Sequence, residues 1–149
     1  MPHIAPPLGV ADGIVPVVIG LVFVAVMQLI DEPRRLRLNA LFAAGASTTY
    51  LGGGLGGWEI VYMVVAASVA YRATGSYRYV GVAWLMHSGW DLVHHLWARP
   101  ILDLQATSSF GCAITDALLA VFFLAGAPRL RLLDRNRRTC RTARTSHAV

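Results

Sequence analysis

The residues best suited to chemistry lie in one uninterrupted string, YRYVGVAWLMHSGWDLVHHLW, where His87, Asp91, His94 and His95 stand at offsets 0, 4, 7 and 8. At about 100° per helical residue they occupy a stripe roughly 100° wide, one helix face. Two further acids are set in apolar surroundings: Glu59 in GGWEIVYM and Asp116 in CAITDALL. Imidazole with carboxylate is a ligand set for zinc, iron or manganese, and residues four apart on one helix can reach the same ion. His87 and His95 are about 12 Å apart along such a helix, too far to share an ion with bonds near 2.1 Å. One ion would take Asp91 with His94 or His95, plus Glu59. A second would take His87 with Asp91 or Asp116, with Asp91 bridging. A metal-bound water would serve hydrolysis, and a redox metal would serve oxidation or hydroxylation of a lipid-soluble substrate. His87, Asp91, His94 and His95 are therefore the candidate metal ligands, for zinc or iron, and Glu59 and Asp116 the candidate catalytic acid/base groups. The same groups would also suit a proton or cation relay, or a binding subunit of a membrane complex. A purely structural alternative pairs His87 with Asp91 and Asp91 with His95 by hydrogen bonds that order the helices.

The elements that must position these residues are apolar. Of 149 residues 56% are hydrophobic and 14% charged, against about 25% charged in a soluble domain, and the mean hydropathy is +0.54. Five apolar stretches, at about 13–30, 38–55, 58–71, 77–97 and 109–127, predict an all-α integral membrane bundle of five transmembrane helices. Residues 1–128 would form one domain, with a basic, weakly ordered tail over 129–149. The first stretch lacks the basic n-region and cleavage site of a signal peptide. The second is rich in small residues, Ala43 to Ser47, that permit close helix contact. GGGLGG, from Gly52 to Gly57, marks a bare turn. The third stretch is short for a span, and the fourth carries Tyr77, Tyr79, Trp90 and Trp97 as interfacial anchors or packing residues.

Every basic residue other than histidine is Arg, and the net charge is +5. Arg34, Arg35 and Arg37, then Arg72 and Arg78, then the run from Arg129 to Arg144 fall on one side of a five-span chain, with Arg99 alone on the other. The positive-inside rule then puts the N-terminus outside and the C-terminus in the cytoplasm, in the cell membrane. The expected partners are the bilayer, a hydrophobic small molecule, and anionic lipids at the Arg tail; nucleic acid is not expected. In this topology His87, Asp91, His94, His95, Glu59 and Asp116 all occupy the outer half of the bilayer. That shared depth predicts one polar site opening outward, because buried ionisable groups in a membrane normally face the bundle interior and find partners there.

Thr107, Ser108 and Ser109 are expected to cap the fifth helix, and Cys112 to be a small packing residue. Cys112 and Cys140 fall on opposite sides and are not expected to pair. The glycine run lacks the GxxxxGK[ST] form and reads as a turn. The blocks YLGGGLGGWE, MHSGWDLVHHLW and TSSFGCAITDALLAVFFLAGAP resemble an uncharacterised family of small bacterial multi-spanning membrane proteins with an HSGWDxxHH motif. The resemblance covers most of 38–128 and implies a membrane location but no reaction.

Overall fold

A computed structural model describes residues 6–102 and 105–129. Five helices follow one another: α1 (Val10–Met27), α2 (Arg34–Ala46), α3 (Gly57–Ala73), α4 (Tyr77–Trp97) and α5 (Ser108–Leu124). No strand forms among the described residues. The five-helix, all-α expectation holds, and the boundaries of α4 are those read from its apolar string. Of the tail expected over 129–149, residues 130–149, with Cys140, lie outside the described residues.

The other boundaries move for local reasons. α1 starts three residues early because the Asp12 carboxylate accepts the Gly9 N–H at 2.8 Å and so holds an otherwise unpaired donor of the first turn. α5 stops at Leu124, short of Pro128, because Gly126 adopts φ +87° and its N–H turns back to the Phe123 carbonyl at 3.0 Å, the left-handed ending that glycine favours. The largest departure is α2, expected over 38–55 and found over 34–46. Ser47, Thr48 and Thr49 each turn a hydroxyl back onto a carbonyl of the preceding turn (Ala43, Gly45 and Ala46) at 2.8–3.0 Å. Such local bonds compete with helix continuation, and the chain from Ser47 to Gly56 becomes a folded loop. At 13 residues α2 is about 20 Å long. Among the described residues only α1 is both long and apolar enough to cross a membrane, and α5 is a shorter apolar helix.

α4 is the axis of the bundle. It packs on α5 along most of its length and touches α2 and α3 with its other flank, while α1 lies on α5. Close approach needs small residues. A Cβ at Gly81 would lie 2.7 Å from the Leu124 Cγ and 2.8 Å from the Leu124 backbone nitrogen, and the Ser88 hydroxyl donates to the Ala113 carbonyl at 2.8 Å. On the α1 side, Gly111 receives the Pro16 ring, and Thr115 donates to the Pro16 carbonyl at 3.0 Å.

Two apolar clusters stack along the axis. One, around Val80, Trp84, Leu119 and Phe123, fills the end where α2 and α4 begin. The other, around Tyr50, Tyr62 and Ala66, fills the end where α3 and α5 begin. The first end is locked by Arg35, which is 3% exposed. Its guanidinium donates to the Glu32 carboxylate at 2.9 Å, the Tyr77 hydroxyl at 2.7 Å, the Gln28 side-chain oxygen at 2.9 Å and the Ala127 carbonyl at 2.9 Å. Gln28 and Glu32 belong to the connection between α1 and α2, Tyr77 to the start of α4 and Ala127 to the segment after α5, and Arg35 itself stands on α2. An arginine counted as a topology signal thus also ties four segments together.

Candidate functional site

The polarity of the described residues is inverted. Glu59, His87, Asp91, His94, His95 and Asp116 are all buried, along with Ser88, Ser108 and Ser109, while Val, Ile and Leu side chains of α1, α3 and α4 are exposed. The sequence stripe on α4 is buried throughout, but it divides. Around the helix His94, His87, Asp91 and His95 fall in that angular order, spread over about 100°. The first two face the α2–α3 side and the last two face α5.

On the α2–α3 side, His87 is 1% exposed, and its Nε2 lies 3.0 Å from the Ser47 hydroxyl and 3.1 Å from the Ala43 carbonyl. A carbonyl only accepts, so Nε2 carries a proton toward Ala43. Tyr50, Tyr62 and Trp84 surround the ring. His94 turns Nδ1 to the Trp90 carbonyl at 3.1 Å and packs on Tyr50 with ring centroids 4.2 Å apart. Its Nε2 has no partner among the described residues. Glu59 is not in the α4–α5 seam. Its two carboxylate oxygens accept the Gly52 and Leu55 N–H groups at 2.8 and 2.9 Å, so it closes the glycine loop over the start of α3.

On the other side, the Asp91 and Asp116 carboxyls meet across the α4–α5 interface within hydrogen-bonding range. Two carboxylates have no proton to exchange, and the Asp91 Oδ2 accordingly finds no donor among the described residues. Buried carboxyls in this position require a shared proton or a cation. His95, one turn beyond Asp91, packs on Phe110 with ring centroids 5.3 Å apart, and its Nδ1 also lacks a partner. Cys112 lies near both carboxyls. Asp116 and Cys112 line a mainly apolar groove of about 310 Å³ between α1 and α5, whose other walls include Val15, Pro16, Ile19 and Leu102. The carboxyl pair therefore sits beside a groove with room for an apolar chain.

Of the expected site residues, the fold brings Asp91 and Asp116 together and sets His95 beside them on α4. It gives His87 and His94 partners on the opposite flank and Glu59 a place in the glycine loop. Among the described residues no three His, Cys, Asp or Glu side chains are gathered as an ion would need. The His87–Asp91 and Asp91–His95 hydrogen bonds of the structural alternative do not form. Nor do Ser108 and Ser109 cap α5: their hydroxyls accept the Leu102 and Ile101 N–H groups at 3.0 and 3.2 Å, while Thr107 donates to Asp12 at 2.6 Å. The roles of Ser47 and Tyr50 around the imidazoles had no signal in the sequence beyond small size and depth.

No curated protein and no solved structure matches the chain. The model of a family of unknown function, DUF6010, matches residues 11–129, which takes in the polar face of α4, the glycine loop and the Arg35 knot, and the chain belongs to that family.

Proposed function

We propose that the protein is an integral membrane enzyme in which Asp91 and Asp116 act as an acid–base pair on a lipid-soluble substrate reaching them from the α1–α5 groove. The observation that carries this reading is the meeting of two buried carboxyls beside an apolar cavity. A carboxyl pair holding one proton can take a proton from water with one member and give a proton to a leaving group with the other. Hydrolysis is the reaction such a pair performs with water alone as co-reactant. What supports the membrane is the inversion of polarity, since an apolar exterior around buried His, Asp and Glu suits a lipid solvent. In the proposed topology five helices cross the cell membrane, the N-terminus lies outside, and the Arg-rich 129–149 segment meets anionic lipids on the cytoplasmic side.

A second reading keeps the site and adds a divalent zinc or iron ion. It is favoured by Asp91 Oδ2 and His95 Nδ1, both buried and without hydrogen-bond partners among the described residues and four residues apart on one helix. Asp91 and His95 would each give the ion one donor atom, and the ion would supply an activated water.

Two measurements test these readings. Protein purified in detergent is incubated with the host's total lipid extract, and products are followed by mass spectrometry for wild type and D91N. Product release by wild type that D91N loses supports the enzyme; no wild-type turnover, or equal turnover by both, defeats it. Metal analysis after metal-replete expression separates the readings: a stoichiometric ion lost in D91N supports the second, and metal-free active protein supports the first. Thiol labelling of G54C and R37C in intact and permeabilised cells tests topology. The expectation is labelling of G54C in both and of R37C only after permeabilisation.

A further inference from the structure

A second cavity, of about 180 Å³, opens at the end of the bundle that carries the glycine loop. Thr49, Tyr50, Gly52, Gly53, His94 and Arg99 are among its walls. The Arg99 N–H donates to the Gly53 carbonyl at 2.9 Å, so the segment after α4 is pinned to the loop after α2. Arg99 is exposed, and among the described residues its guanidinium enters no ion pair. It is also the one arginine set apart from the others by the charge pattern of the sequence.

Beneath the loop lies His94, 1% exposed. A Cβ at Gly53 would come within 2.7 Å of its Nε2, the same nitrogen that lacks a partner. A glycine at 53 is what lets the ring reach this wall. Glu59 is close enough to His94 to interact with its charge, but its oxygens are committed to the Gly52 and Leu55 N–H groups.

We propose that this cavity binds a phosphate oxyanion, held by the Arg99 guanidinium over Gly52, Gly53 and the His94 ring. The planar guanidinium fork matches phosphate oxygens two at a time. The phosphate can come from a phospholipid headgroup or from free phosphate. Trp58 at the start of α3 and Trp97 at the end of α4 are exposed at this same end, 70% and 66% respectively, as aromatic side chains are at the level of lipid headgroups. The lipid source rests on the membrane reading above. The anion site itself rests on neither that reading nor the carboxyl pair.

The test is binding to the full chain in detergent by native mass spectrometry, with phosphatidylglycerol, diacylglycerol of the same chains, and inorganic phosphate as probes. Because Arg99 is exposed, R99Q leaves the bundle intact. The expected result is phosphatidylglycerol binding about tenfold tighter to wild type than to R99Q, and about tenfold tighter than diacylglycerol. Inorganic phosphate binding that R99Q loses, without preference for the lipid, supports the site with free phosphate as its ligand. Equal binding of phosphate-bearing probes by wild type and R99Q, or no phosphate-dependent binding by wild type, overturns the proposal. Either result leaves lipid turnover by the carboxyl pair to be judged by its own assay.

Discussion

Asp91 of α4 and Asp116 of α5 face each other within hydrogen-bonding range, and among the described residues neither is paired with a basic side chain. Asn in place of Asp91 keeps a hydrogen-bonding group in the seam without the charge. D91N is therefore expected to unfold in detergent within about 1 kcal/mol of wild type, while turnover falls by roughly 10² to 10⁴, the range of general acid–base catalysis. Thermal unfolding and lipid turnover, measured on the same preparation, check both halves. A D91N protein that unfolds much earlier and loses turnover in proportion would reduce the pair to a packing element.

The contact between Gly81 and Leu124 sets the distance between α4 and α5. G81A places a methyl 2.7–2.8 Å from Leu124 side-chain and backbone atoms and is expected to destabilise by about 1–3 kcal/mol. G89A, on the same helix with nothing within 4 Å of its Cβ, is expected to be neutral or to stabilise by up to about 1 kcal/mol. Thermal unfolding of the two variants side by side gives the comparison. Equal effects would contradict the assigned seam.

Arg35 donates to four acceptors in three segments. R35A leaves Gln28 and the Ala127 carbonyl without their donors and is expected to cost at least about 2 kcal/mol. R35K should recover little of that loss, because one ammonium cannot reproduce the guanidinium fork. Both variants are read by thermal unfolding, and recovery in R35K would mean that charge alone mattered.

Glu59 is expected to act on the loop. E59A frees the Gly52 and Leu55 amides, whose hydrogen exchange should quicken about tenfold or more, with E59Q intermediate because its single oxygen can still accept. Exchange at amides in the middle of α4 should not change. If E59Q instead keeps both loop amides fully protected and abolishes turnover, the carboxylate takes part in the reaction.

How much of this was legible in the sequence depended on how local the deciding interaction is. α4 could be bounded from its residues because its apolar string ends at Trp97 before Pro100, and its stripe of His and Asp marked the face that is buried. The same stripe could not show its own division: His87 turns to Ser47, and Asp91 to Asp116, through contacts between residues 40 and 25 positions apart. The role of Arg35 was only half legible for a related reason. Its charge near an apolar stretch reads as a membrane flank, whereas burial is decided by Gln28, Tyr77 and Ala127, far away in the chain. For α2 the relevant signal was present, in the run Ser47-Thr48-Thr49, but hydroxyl residues in an apolar stretch also pass as ordinary span residues until their bonds to the preceding turn are seen.

The lie of α1 against α5 bears on how the chain is made. Beyond its aromatic contacts with Phe42 and Trp84 through Phe23, α1 finds its broad packing partner in α5, the last helix among the described residues. At synthesis rates of roughly 5–20 residues per second, α1 waits roughly 4 s or more for α5 to emerge. During that interval the α1 surface that will receive Leu118 and Thr115 at Gly20 has no mate. The groove beside Asp116 therefore comes into being only with α5, so a ribosome stalled before residue 108 would leave the α1 wall of the groove without its opposite wall.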